Sequence, residues 1–224
     1  MGERLPLFPL GTVLLPGLLL PLQIFEERYR ILIRELLAEP DAGRRQFGVI
    51  AIRRGREVGP VVPELHEVGC VAQLRRVEAR PDGRFSILTV GGQRFRIRSV
   101  DQTSAPYLVG EVEFLEDVPG DEDAALTEAA VVRRLLGEYT ERLKANGAVE
   151  IKLPDLPDDP VALSYLVAAT VVSDITERQK LLAEPDGVSR LRAERALLRR
   201  ELGLLSRITT VGSGQLIRVQ PSPN

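Results

Sequence analysis

The sequence predicts an α+β chain whose first half is β-rich apart from one early helix and whose second half is helical. Three observations carry that expectation. Short apolar or alternating runs, separated by turn residues, fill the chain as far as residue 115, which is the period-two signature of strands. Beyond an acidic, proline-bearing stretch at residues 116–123 (EDVPGDED) the apolar spacing becomes that of helices. The opening run, residues 5–25 (LPLFPLGTVLLPGLLLPLQIF), carries no charge and therefore belongs in a core or a membrane.

The prolines of the opening run decide between those two. By length it could cross a bilayer, but Pro6, Pro9, Pro16 and Pro21 each cost roughly 3 kcal/mol inside a helix. Without a continuous helix the backbone cannot satisfy itself in lipid. Nor is a secretory signal expected, because residues 1–4 carry one acid and one base and no small-x-small cleavage site follows. The run is expected to form two buried strands, residues 5–8 and 12–15, with a proline-framed loop at 16–21. From Phe25 the period becomes helical: Phe25, Tyr29, Leu32 and Leu36 share a face, and Pro40 with Gly43 ends the element.

Residues 47–52 (FGVIAI) have the length of a strand. Residues 68–77 and 85–90 form a hairpin across Pro81-Asp82-Gly83, where Pro sets φ, Asp bonds its own backbone and Gly accepts a positive φ. Gly91-Gly92 is expected to break that ladder. Residues 94–100 then alternate Arg94, Arg96 and Arg98 with Phe95 and Ile97, and residues 107–115 (YLVGEVEFL) add a last strand. In the second half, Val132, Leu135, Leu136, Tyr139 and Leu143 stripe a helix over 124–146. Asp159-Pro160 starts an almost wholly apolar helix that ends near Val172. Residues 176–183 and 188–205 complete a bundle, the last with Leu191, Leu198, Leu202 and Leu205 inward. Residues 208–219 suggest a hairpin about Gly212-Ser213-Gly214, and 221–224 a disordered end. The expected division is 1–118, 119–206 and a tail from 207 to 224.

One stretch is specific enough to suggest a family. Leu5, Pro6, Leu7, Phe8, Pro9, then Leu15, Pro16, Gly17, then Pro21, Leu22, Ile24, Phe25, Glu26, Arg28 and Tyr29 resemble the start of the Lon N-terminal domain, the substrate-binding module of Lon proteases. Gln23 stands where many members have His, and Leu15 where many have Phe. Gly69–Ala72, Asp82-Gly83-Arg84, Arg94–Ile97, Pro106-Tyr107 and the later Gln179-Lys180-Leu181-Leu182 continue the similarity to about Leu205. The resemblance implies a PUA-like β pseudo-barrel followed by a helical bundle, here as a free-standing member.

Composition narrows the function classes. A hydrophobic content of 44% supports a substantial core, and a net charge of −2 gives no general attraction to nucleic acid or acidic membranes. The single cysteine, Cys70, rules out an intrachain disulfide and a cysteine metal cluster, and it suits the cytoplasm. His66 is the only histidine, which leaves neither a zinc site nor a catalytic triad. Gly212-Ser213-Gly214 lacks the third glycine of a dinucleotide loop, and no Gly-Lys pair offers a P-loop. Lys144, Lys152 and Lys180 fall in contexts unlike a Ser-Lys peptidase. The acidic pairs sit at helix starts, where capping explains them. No catalytic residue, cofactor or metal is expected.

The function so indicated is a non-catalytic module that recognises a polypeptide substrate or partner protein through apolar surface. The candidate residues are Pro16, Leu18, Leu19 and Leu20, because an alternating backbone rarely buries three consecutive leucines, together with Glu27 and Arg28 beside them. The alternative is an RNA-binding face built from Arg75, Arg94 and Arg96. Interleaved acids such as Glu111 and the scarcity of aromatics to stack on bases argue against it.

Overall fold

The computed structural model describes residues 2–57, 63–146, 155–171 and 174–212, with the side chains of 207–212 excepted. Seven strands precede four of the five α-helices: β1 (Glu3–Leu10), β2 (Leu19–Ile24), α1 (Glu27–Ala38), β3 (Gln46–Arg54), β4 (Glu64–Leu65), β5 (Val68–Ala79), β6 (Phe85–Asp101) and β7 (Leu108–Leu115). The helices α2 (Glu122–Ala145), α3 (Pro160–Thr170), α4 (Ile175–Ala183) and α5 (Gly187–Gly212) follow. The sheet closes on itself, because β1 pairs antiparallel with β7 and parallel with β3, while β6 and β5 complete the ring.

Closure explains the uncharged opening. Leu5 and Leu7 of β1 point into the barrel against Ile50, Val71, Phe95, Leu108 and Val112. Phe8 and Leu10 point outward, into a second core shared with the helices. A strand buried on both faces has no place for a polar residue. The lumen is narrow enough that a Cβ on Gly69 would lie 2.4 Å from the Phe95 ring.

Several sequence expectations change. Residues 12–15 form no strand, although Val13, Leu14 and Leu15 are buried, and the expected loop at 16–21 is a Pro16-Gly17 turn that leads straight into β2. Gly91-Gly92 does not interrupt the ladder: β6 runs through both glycines and changes partner there, from β2 to β7. Gly91 is required by close approach, since a Cβ would lie 2.1 Å from the Leu15 carbonyl oxygen, and Gly17 (φ 78°) donates to the Gly91 carbonyl at 2.8 Å. Phe25 precedes α1 and is 53% exposed, so the buried stripe of that helix is Tyr29, Leu32, Ile33 and Leu36. The helix α5 continues to Gly212, so residues 208–212 are helical where a hairpin was expected. The rest of that hairpin and the end at 221–224 lie outside the described residues.

The hairpin turn at 81–83 forms as its residues require, with Gly83 at φ 79° and the Asp82 carboxylate accepting from the Arg84 amide at 3.0 Å. Asp121, Asp159 and Asp174 cap α2, α3 and α4 through their side chains, each at 2.7 Å. The helices bury Val132, Leu135, Leu136 and Tyr139, then Leu163 and Val167, then Leu191, Leu198 and Leu202 against Phe8, Phe47 and Cys70 of the barrel in one continuous core. No helix among the described residues is long and apolar enough to cross a membrane.

Candidate functional site

Among the described residues β2 pairs only with β6, so its other side is a sheet edge. The Leu18 carbonyl accepts from the Gly91 amide at 2.8 Å, and antiparallel alternation then turns residues 20, 22 and 24 towards β6 and residues 19, 21 and 23 away from it. Pro21 confirms the parity, because a residue without an amide proton belongs on the unpaired side of an edge strand. The side chains alternate in the same register. Leu18, Leu20, Leu22 and Ile24 face the core, and Leu19, Pro21, Gln23 and Phe25 face solvent.

Leu19 is 63% exposed. Cross-strand neighbours share a face, which sets Val90 beside Leu19, Leu88 beside Pro21 and Ser86 beside Gln23. Ser86 donates to the Gln23 side-chain oxygen at 2.9 Å, and Leu88 and Val90 are half-buried. The result is an outward apolar strip of Leu19, Pro21, Leu88 and Val90, continued by Phe25, alongside an open strand edge.

The sequence-predicted residues therefore separate into three groups. Leu19 stands on the strip, while Leu20 turns inward. Pro16 and Leu18 line a different surface, a cleft of about 440 Å³ where the turn before β2 faces Pro157, Asp159, Val161, Tyr165 and Leu166 at the start of α3. Glu27 and Arg28 lie beyond the far end of β2 and hold α1 in place. Glu27 pairs with Arg30 at 2.8 Å and Arg34 at 3.2 Å. Arg28 pairs with Glu26 at 2.8 Å, lies 4.6 Å above the Tyr29 ring, and donates to the Glu57 carbonyl. Pro21, Phe25, Leu88 and Val90 escaped sequence reasoning. The available signal was Gln23: taken as the solvent-facing parity of a strand, it puts Pro21, Leu19 and Phe25 on the same face.

The arginine face does not assemble. Arg94 is 1% exposed and spends its donors on Asp117 Oδ1 (2.6 Å) and on the carbonyls of Leu182 (2.9 Å) and Glu184 (2.6 Å). Arg96 is half-buried and pairs across from Val68, whereas Arg75 lies seven residues further along β5, roughly 23 Å at the strand rise. His66 is half-buried between β4 and β5, and burial with the nearby Arg53 lowers its pKa. Burial pushes the Cys70 thiol well above its usual range, which leaves it a core residue rather than a nucleophile. Among the described residues, no group of three His, Cys, Asp or Glu side chains could hold a metal.

A buried polar network ties the two halves together behind the cleft. Tyr165 donates to Asp117 Oδ1 at 2.6 Å, and the Arg190 guanidinium lies 4.0 Å above the Tyr165 ring. Burial holds the Tyr165 phenol protonated against the pull of Arg190. Gln179 donates to the Val68 carbonyl at 2.8 Å, which fastens α4 to β5.

Residues 4–200 match the family profile described as the ATP-dependent protease La (LON) substrate-binding domain. The chain is 28% identical over 223 residues to Lon protease 2 of Myxococcus xanthus, covering 97% of this chain and 26% of that protein. It is 30% identical over 211 residues to Lon protease 2 of Herpetosiphon aurantiacus, covering 90% and 24%. The chain thus spans about a quarter of the length of these relatives. Among solved structures it resembles the Lon N-terminal domain protein of Xanthomonas campestris, with a TM-score of 0.60, 27% identity, and coverage of 85% of this chain and 95% of that one. The N-terminal domain of the Mycobacterium avium complex Lon protease shares the fold at a TM-score of 0.67 and 18% identity, over 88% and 98% of the two chains. With the profile running from β1 into α5, the chain belongs to the ATP-dependent protease La (LON) substrate-binding domain family.

Proposed function

We propose that the chain is a non-catalytic recognition module that binds polypeptide in extended form along the free edge of β2. The observation that carries this reading is Leu19, a leucine left 63% exposed on an edge strand whose outward backbone groups have no partner among the described residues. An extended segment would take up the Leu19 and Gln23 backbone groups and the Pro21 carbonyl, and lay alternate apolar side chains on Leu19, Pro21 and Val90. Pro21 also supplies restraint, because the missing donor weakens continuous pairing between copies of the sheet. Membership of a substrate-binding family agrees with this role, as do Lon proteases among the relatives. A cytoplasmic setting fits the single buried Cys70.

The test is fluorescence anisotropy with a labelled, permanently unfolded polypeptide, comparing the wild type with Leu19→Ser. Burying one leucine is worth about 1.5–3 kcal/mol, so the substitution is expected to weaken binding by roughly one to two orders of magnitude. Leu19 packs against nothing in the core, and the variant should melt with the wild type. Unchanged affinity in a folded Leu19→Ser variant rejects the site.

A further inference from the structure

The cleft beside this edge has a chemistry that the apolar strip lacks. Its walls are apolar, from Pro16 and Leu18 on the barrel and Val161 and Leu166 on α3, while its polar lining includes Asp117, Asp155 and Asp159. Among the described residues, no basic side chain lines it. Arg133 is turned onto the Leu156 carbonyl and Asp158, and Arg94 lies buried behind Asp117. Arg94 compensates Asp117, whose Oδ1 accepts both from Arg94 and from Tyr165 while its Oδ2 has no partner among the described residues. Asp159 commits one oxygen to capping α3, and Asp155 has no partner among the described residues. Asp155 is thus uncompensated, and Asp117 and Asp159 each keep one free oxygen, around a slot whose walls suit methylene groups.

We propose that this cleft receives the side chain of a lysine or arginine carried by the polypeptide seated on β2. The stem would lie between Leu18 and Val161, and the cationic head would donate to the free oxygens of Asp155, Asp159 and Asp117. The polypeptide is the source of that cation because the cleft opens at Pro16–Leu18, directly before the first residue of the free edge. A chain that leaves the edge at Leu19 meets the cleft next. The assignment rests on the strand-edge reading and adds a preference to it: extended apolar segments that carry a basic residue bind better than uncharged ones.

Asp155→Asn/Asp159→Asn removes both charges while keeping the α3 cap, since Asn caps as well as Asp. The wild type, this variant and Leu19→Ser are titrated into fluorescein-labelled peptides of alternating leucine and threonine in which one lysine is walked along the chain, and into the same peptides with norleucine in its place. At the best lysine position, norleucine should weaken binding to the wild type about tenfold, as loss of a charge-assisted hydrogen bond implies. The Asn variant should bind both peptides alike, at the norleucine level. Leu19→Ser should weaken both by the same factor. Equal binding of lysine and norleucine peptides by the wild type, or an undiminished lysine preference in the Asn variant, overturns the cleft assignment and leaves the strand-edge reading standing. No binding of either peptide overturns both.

Discussion

At the scale of single residues, polarity and exposure part company most clearly at the junction of barrel and bundle. Arg94 alternates with Phe95 and Ile97, as a solvent-facing residue would, yet it is among the largest fully buried side chains. Alternation specifies a face of the strand, and whether α4 then covers that face is a long-range event that local pattern cannot show. Gln179 is legible only in part for the same reason: its place in the Gln179-Lys180-Leu181-Leu182 segment marks it, but its partner is the Val68 carbonyl, far away in sequence. Glu194 is the extreme case, fully buried on α5 with neither carboxylate oxygen hydrogen-bonded. Burial raises its pKa well above the ordinary 4.5, against the attraction of Arg190. In the window above that value the folded protein holds a proton that the unfolded chain has released, so this residue's contribution to stability falls as pH rises. Glu194→Met removes the group while keeping its bulk. The variant's melting temperature should exceed the wild type's by a margin that grows from about pH 4 to about pH 8. A margin that is flat or shrinks across a pH series of thermal melts would contradict a carboxyl held neutral by the fold.

At the scale of elements, the long strand β6 organises both the barrel and the candidate site. Its first half carries β2 and its second half β7, and the handover falls at Gly91 and Gly92. Two consecutive glycines inside a strand pattern read locally as a break, because neither contributes a side chain to the ladder. Their distinct roles appear only when the Leu15–Pro16 backbone is seen crossing over Gly91. The strand β2 was hidden for a related reason: prolines at both ends of a leucine run suggest a loop, whereas Pro21 occupies the outward side of an edge strand, where it loses no bond. The two glycines should separate experimentally. A Cβ at residue 91 collides with backbone, so Gly91→Ala should cost about 1–3 kcal/mol, in the range of overpacking. A Cβ at residue 92 meets Val71 at an ordinary 3.6 Å, so Gly92→Ala should be tolerated. Urea midpoints measured on both variants test this, and equal midpoints would mean that the Pro16-Gly17 turn does not depend on its seat against Gly91.

At the scale of the whole molecule, the composition shift near residue 118 is real as a change from strands to helices, and the α+β class was readable from it. What it does not show is that the two halves share one core. The barrel lumen around Phe95 is built from strand residues alone. The outer core instead runs from Phe8, Phe47 and Cys70 through Val132 and Leu163 to Leu198 without a gap. Arg94, Tyr165 and Gln179 close the seam with hydrogen bonds whose groups would be left buried and unpaired if either half opened alone. The two halves should therefore unfold as one unit. Leu163→Ala, placed wholly within the bundle and fully buried, should remove about 2–5 kcal/mol. If the seam couples the halves, hydrogen exchange will show that loss at buried barrel residues such as Val49 and Val71 as fully as at Val167 and Leu198. Barrel amides that keep wild-type protection while the bundle loses its own would show two units that open independently. The cleft between Leu18 and Val161 would then be a hinge rather than a fixed groove.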